Sequence, residues 1–438
     1  MDYLLIISID DNNVGGGGDE EVDKPSFVPV RYIVAAMTLL AALDLYNSRF
    51  NLSVAMVAMS SFNRTRAATT AESDVCVNNG QPIDSVQSHQ TDGEFDWDPH
   101  TQQVIVYSFF YGYILFHVVG ARLAERFGAK WLCAVSIVVS IVINVCTPMI
   151  VRSHAYWLLL ASRVVLGVGQ SLMFPACYAL FAKWVPDYER SVILSFPLIG
   201  SNIGTIITSS LSKYLTEHGF AGGWPSAFYV PALIAGVWLL CWVVTIKSEP
   251  KDHPWISSHE LNHIRTYNSH HKHHGHHHHK HQSVPWLQVL TSMPVLATVV
   301  VKFAVNWIFI LITFKMPSYL QTVFDYSSAQ GVFLFGMHSG GDIPVIADMT
   351  TKYMATVYAL CETVALTCAI LTPLTIDWLI DTDELHVRQQ WSYMFYGSGA
   401  MAVVGGLVFA AFGSAERQEW DKNNANSDTN NGIYLHRI

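Results

Sequence analysis

Long uncharged runs separated by short polar breaks organise this chain. Such runs cover Arg31–Met59, Val104–Val119, Leu132–Ile150, Tyr156–Ala182, Ser191–Leu211, Phe228–Ile246, Val289–Phe314, Tyr353–Ile380 and Trp391–Phe412. At 1.5 Å rise per residue their lengths suit a hydrocarbon core about 30 Å thick, so each predicts a membrane-spanning helix. A weaker run, Ser327–Ala347, has one good apolar patch, Val332–Phe335, and predicts a marginal tenth span. Without that span the last two helices would insert in reverse and put the C-terminal tail outside.

The polar segments between the runs divide the chain into five parts. Residues 1–28 read as a disordered cytosolic tail, with a Gly15–Gly18 run and an acidic cluster at Asp19, Glu20 and Glu21. Residues 29–246 form a six-helix bundle, 247–284 a histidine-rich linker, 285–413 a second and incomplete bundle, and 414–438 a tail. Bases collect in alternate loops. Arg122, Arg126 and Lys130 follow the second span, Lys183 and Arg190 the fourth, and Lys247, Lys251, Arg265, Lys272 and Lys280 the sixth. That bias places the tails and the linker in the cytosol. The opposite loop, Ser60–His100, carries a sequon at Asn63 and is therefore a glycosylation candidate on the outer or lumenal side. Six spans, a long cytosolic link and a second set of spans is the plan of a two-half secondary transporter.

Composition sharpens this. Apolar residues make up 51% of the chain and charged ones 13%, against roughly a quarter charged in a soluble domain. The net charge of −9 gathers in the N-terminal tail and in Glu72–Asp98, which excludes a nucleic-acid partner. Of seven cysteines only Cys76 lies in a polar loop, so no disulfide framework is implied. Nothing in a polar segment resembles a hydrolase nucleophile, a nucleotide loop or an oxidoreductase fingerprint, and no cofactor is expected.

Charges inside the spans carry the candidate chemistry, because an ionised side chain at mid-bilayer needs a partner, a wet cavity or a role. Arg49 and Arg163 stay charged at any relevant pH, and each offers a planar fork matched to carboxylate or phosphate. Asp44 stands five residues before Arg49, off the favoured helical spacing; pairing with Arg163, a proton or cation site, and a purely structural polar contact are all open to it. Glu362 is a second titratable candidate, Lys302 is ambiguous, and His117 reads as a packed or headgroup-level histidine. Gly200 and Gly204 form a small-residue face for close helix packing. The run His270–His281 holds nine histidines in twelve residues; His270, His271, His273, His274 and His276 are loose metal ligands at most.

Several motifs in order resemble one family. The stretch Ala121-Arg122-Leu123-Ala124-Glu125-Arg126-Phe127-Gly128-Ala129-Lys130 resembles the signature loop of the major facilitator superfamily, with Ala121 where glycine is usual. The matches Arg49–Ala55, Ser108–Tyr113, Phe174-Pro175-Ala176 and Trp184-Val185-Pro186 with Glu189-Arg190 narrow the resemblance to its anion/cation symporter family. Asn306-Trp307, Pro317-Ser318-Tyr319 and Gly413-Ser414 with Glu416-Arg417-Gln418 and Trp420 extend it over about Arg31–Trp420. That family holds sialin, the vesicular glutamate and nucleotide transporters and the sodium/phosphate cotransporters.

The resemblance implies a two-bundle, all-α membrane fold and a multi-pass symporter of organic or inorganic anions, driven by protons or sodium. Arg49 and Arg163 would then face a central cavity, lined also by Tyr46, Asn51, Tyr111 and Asn306. Glu125, Arg126, Gly128 and Lys130, with Glu189 and Arg190, would pair with helix ends on the cytosolic side and govern the conformational change. Plasma, lysosomal and vesicular membranes are all compatible. Departures accompany the match. Gly331–Gly336 joins the start of an eighth span to the end of a tenth, so most of three helices is missing. Leu166 and Gln170 stand where proton-coupled members carry carboxylates, and Val305 stands where the glutamate carriers have an arginine. Two other readings remain: a shortened form that does not transport, and a zinc carrier using the histidine run.

Overall fold

The computed structural model describes residues 29–59, 95, 97, 99–269, 284–311, 342–350, 353–379, 387–414 and 416–421. The sequon at Asn63, the histidine run from His270, most of the marginal span and the junction at Gly331–Gly336 lie outside them. Among the described residues the secondary structure is helical apart from short turns and a single bridge at Phe95. Among the described residues nine segments are long and apolar enough to cross a membrane, six before the central segment and three after it.

The first half is built from α1 (Val30–Met59), α2 (Pro99–Phe127), α3 (Ala129–Arg152), α4 (Tyr156–Gln170), α5 (Met173–Trp184), α6 (Arg190–Leu194), α7 (Phe196–His218) and α8 (Ser226–Thr245). The fourth span is two helices because Pro175 has no N–H to offer the Ser171 carbonyl and its ring crowds that turn, so the helix breaks at Ser171–Leu172. Close approaches set the packing. A Cβ on Gly112 would meet the Val164 carbonyl at 2.1 Å, and one on Gly167 the Phe109 carbonyl at 2.1 Å, so α2 and α4 touch backbone to backbone. Gly200 and Gly204 meet Leu39 and Leu43 in the same way, joining α7 to α1.

The loop after the second span is shorter than the sequence suggests. Helix α2 runs to Phe127 and α3 restarts at Ala129, leaving Gly128 alone as the turn. Its φ of 96° is one that only glycine adopts without strain. Lys130 donates to the Val243 carbonyl at 2.8 Å, putting a cation on the C-terminal turn of α8.

The central segment is not simply a linker. Helix α9 (Ser258–Ser269) starts on Ser257, whose hydroxyl accepts the Glu260 N–H. The Glu260 carboxylate turns away and accepts the Val30 and Arg31 N–H groups at 2.9 and 3.1 Å. A residue 230 positions away thus caps the first turn of α1.

The second half holds α10 (Trp286–Thr291), α11 (Met293–Ile310), α12 (Asp342–Met349), α13 (Met354–Leu366), α14 (Cys368–Leu379) and α15 (Val387–Phe412). Gln418 beyond α15 donates its N–H to Met349 and accepts from Ser292. The starts of α11 and α13 and the end of α15 therefore share one end, the one that the loop bases assign to the cytosol. Helix α13 packs on α2 and α5, joining the halves, while α15 packs on α11 and leaves most of its length exposed.

Candidate functional site

Arg49 enters from α1 and Arg163 from α4, and both guanidinium groups are buried, 7% and 1% exposed. Neither meets an acid among the described residues. The Arg49 guanidinium carbon lies 4.5 Å from the Tyr46 ring, 4.7 Å from Phe109 and 4.8 Å from Tyr113, so three aromatic faces hold one cation. Its Nε donates to Gln170 Oε1 at 3.4 Å. The Arg163 Nη2 donates to the Arg49 carbonyl at 3.0 Å, and its guanidinium carbon lies 6.0 Å from the Phe109 ring. Among the described residues Arg49 Nη2 and Arg163 Nε are buried without a hydrogen-bond partner. Two close guanidinium groups with unused donors present the planar fork chemistry that a carboxylate or phosphate matches.

Gln170 fixes this centre from α4. Its amide nitrogen donates to the Leu45 carbonyl and the Ser140 hydroxyl, both at 3.3 Å, which leaves its oxygen toward Arg49.

A second charged group lies across the interface of the halves. Lys302 on α11 and Glu362 on α13 form an ion pair at 2.7 Å, with Lys302 Nζ 5.0 Å from the Tyr358 ring. His117 on α2 stacks on Tyr113 at 4.9 Å and lies 5.8 Å from Tyr358. Rings thus run from Arg49 through Tyr113, His117 and Tyr358 to Lys302.

Several sequence expectations are corrected. Tyr111 is 49% exposed and turned away from the arginines; the residues of its motif that touch Arg49 are Phe109 and Tyr113. Asn51 bonds to Asn144 and to the Ala227 carbonyl, bracing α1 against α3 and α8. Asn306 donates to Lys302 O one turn back in its own helix. Asp44 is buried but does not pair with Arg163, which has turned to the Arg49 carbonyl.

The cytosolic charges also divide differently from expectation. Arg126 is exposed over the Phe127 ring and makes no ion pair among the described residues. Its neighbour Glu125 accepts from the Thr356 hydroxyl at 2.7 Å and the Thr356 N–H at 3.1 Å, and pairs with Arg122. Glu189 binds Arg31 at 2.8 Å, Arg190 is buried, and α6 packs on α12. Lys130 is committed to α8 within one half. Glu260 was missed; its signal was the pair Ser257 and Glu260 at capping-box spacing. Among the described residues no group of three or more His, Cys, Asp or Glu side chains is placed to hold a metal.

Comparison with known proteins fits this geometry. A "Putative inorganic phosphate cotransporter" of Drosophila melanogaster is 26% identical over 89% of this chain and 86% of its own length. Sialin of Ovis aries is 30% identical over 71% of this chain and 60% of its own length. The inward-open xylose transporter XylE of E. coli superposes with a TM-score of 0.55 at 12% identity, over 87% of this chain and 96% of that one, a likeness of fold alone. Residues 34–380 match the family profile described as Major Facilitator Superfamily. The chain is an integral, multi-pass member of the major facilitator superfamily, in the anion/cation symporter group with sialin, the vesicular glutamate transporters and the inorganic phosphate cotransporters.

Proposed function

We propose that the protein carries a small anion across a membrane by alternating access, with Arg49 and Arg163 as the binding pair and a proton or sodium ion as the driving cation. The observation that carries this reading is the pair itself: two buried arginines with, among the described residues, no acid beside them and N–H donors without partners. An ionised side chain at mid-membrane costs about 2.5–3.5 kcal/mol on insertion scales, and a bound carboxylate or phosphate would offset that cost. The names of its relatives point the same way, to phosphate and glutamate among the cargoes to try. Tyr46 shares the site, and Asp44, buried without a charged partner among the described residues, stands as an ion-coupling residue.

Uptake of inorganic phosphate and of glutamate into proteoliposomes tests it. Wild-type protein should take up at least one of them, and Arg49→Ala and Arg163→Ala should each lower that uptake tenfold or more. Uptake indifferent to both substitutions would remove the site.

A second reading rests on the sequence alone: Gly331–Gly336 joins stretches that resemble the start of an eighth span and the end of a tenth. A folded, inserted protein that takes up neither anion would favour a shortened form without transport activity. The zinc reading gains no support among the described residues.

A further inference from the structure

Helices α3 and α8 pack side by side, and each turns an apolar stripe outward. On α3 the stripe is Trp131, Val135, Val138 and Val142, between 43% and 57% exposed. On α8 it is Val237, Leu240 and Val244, between 57% and 71% exposed. Both keep the three- and four-residue spacing of one helix face. A Cβ on Gly236 would meet nothing within 4 Å, so the surface of α8 dips beside Val237.

The two stripes begin at the same end. Lys130 donates to the Val243 carbonyl at 2.8 Å, and the Trp242 indole donates to the Lys130 carbonyl at 3.0 Å. The start of α3 is thereby pinned to the last turn of α8, at the end that the loop bases assign to the cytosol. Half of a hydrocarbon core about 30 Å thick takes about ten helical residues. Trp131 to Val138 and Val244 back to Gly236 therefore face one leaflet.

Cations stand at the head of these stripes. The Lys130 ammonium lies 5.2 Å from the Trp131 ring centroid, and Val243 takes only one of its three N–H groups. Lys247, two residues beyond α8, is close enough for its charge to act on Lys130. Glu249, the acid nearest to Lys247 in sequence, is held by Lys183 at 3.4 Å and Lys251 at 2.8 Å. Glu125 is held by Arg122 and Thr356. Among the described residues Lys130 and Lys247 form no ion pair, so two like charges face each other with nothing to offset them.

We propose that this corner of α3 and α8 seats one anionic phospholipid of the cytosolic leaflet, its headgroup phosphate between Lys130 and Lys247 and its chains along the two stripes. A lipid fits better than a soluble anion because the cations sit directly above apolar surface, with the Trp131 ring spanning the boundary. The seat is separate from the arginine centre. Ser140 and Asn144 occupy the opposite, buried face of α3, where they meet Gln170 and Ser48. The inference therefore holds whatever the cargo is.

Native mass spectrometry of the purified full-length protein, titrated in detergent with phosphatidylserine or phosphatidylcholine, tests it. Wild-type protein should retain one phosphatidylserine about tenfold more tightly than phosphatidylcholine. A lysine beside an anionic headgroup is worth about fivefold, so Lys130→Gln and Lys247→Gln should each weaken retention by about that factor. Lys130 also holds α8, so Lys247→Gln and Trp131→Ala, both expected to weaken retention, decide the matter if Lys130→Gln fails to fold. Lys251→Gln removes a cation already paired with Glu249 and should change retention less than twofold. Glycerophosphoserine, the same headgroup without chains, should not displace the lipid at equal concentration. Phosphatidylserine with a photoreactive acyl chain should label residues 131–142 or 236–244. Equal retention of the two lipids, equal losses in K247Q and K251Q, displacement by the chainless headgroup, or labels confined to other helices overturns the inference.

Discussion

Glu125 at the cytosolic end of α2 accepts both the hydroxyl and the main-chain N–H of Thr356 at the start of α13, at 2.7 and 3.1 Å. One carboxylate of the first half thus caps a helix of the second. The contact needs the halves to meet at that end, so we expect it to act as a latch. A hydrogen bond to a charged group contributes about 1.5–3 kcal/mol. Thr356→Val, which removes the hydroxyl and keeps the N–H, should therefore shift the balance toward cytosolic opening by roughly ten- to a hundredfold. Labelling of a cysteine placed between the halves, from the cytosolic side, should speed up accordingly. Anion affinity should change little, and Arg126→Ala, at an exposed residue outside the latch, should leave the labelling rate near wild type.

Gln170 offers a test of why the arginine pair meets no acid among the described residues. Gln170→Glu keeps the shape and puts a carboxylate where the amide oxygen meets Arg49. At neutral pH that carboxylate should occupy Arg49 and lower anion affinity by ten- to a hundredfold, the worth of about 1.4–2.8 kcal/mol. Equilibrium binding of phosphate or glutamate at neutral pH reads the effect. An unchanged affinity at neutral pH would mean the anion does not rest at Arg49.

Spans and family were legible because each is written locally. Hydrophobic runs report length, and motif order reports kinship. Contacts between spans were not written that way. Tyr111 and Tyr113 sit two residues apart in one motif, yet roughly 200° apart around the helix, and only Gly112 against Val164 fixes which of them faces the arginines. Lys302 and Glu362 were each visible as intramembrane charges, but their pairing joins residues 60 apart in the chain, and no period within one helix reports it. His117 looked like packing because its partners, Tyr113 and Tyr358, come from both halves. Glu260 looked like linker because a capping box predicts where a helix starts, not what its acid will bind.

Glu260 should matter to stability more than to transport. It accepts two N–H groups of α1 and also meets Arg31 Nη1 at 3.4 Å. Loss of a helix N-cap costs about 0.5–2 kcal/mol, and the α1 dipole adds to it. Glu260→Ala should lower the melting temperature of the detergent-solubilised protein by a few degrees and raise amide exchange at Val30 and Arg31. Anion affinity should stay within about twofold, because Arg49 lies some 28 Å further along the helix.

The same docking should loosen with acid. Burial, and then the charge of Arg31, hold the His263 imidazole below its ordinary value, while the Tyr188 hydroxyl meets its Nε2 at 2.6 Å. Tyr188 is pushed up to about 12, by burial and by Glu189, and stays a neutral phenol throughout the range. A histidine depressed in the folded state favours docking while it is neutral. Its contribution is complete above the unfolded value near 6.5 and is lost as pH falls through the lower folded value. Helix α9 should therefore gain amide exchange and protease sensitivity between about pH 6.5 and 5. His263→Gln, which cannot take the charge, should flatten that profile. A profile equally steep in the variant would assign the acid response to another group.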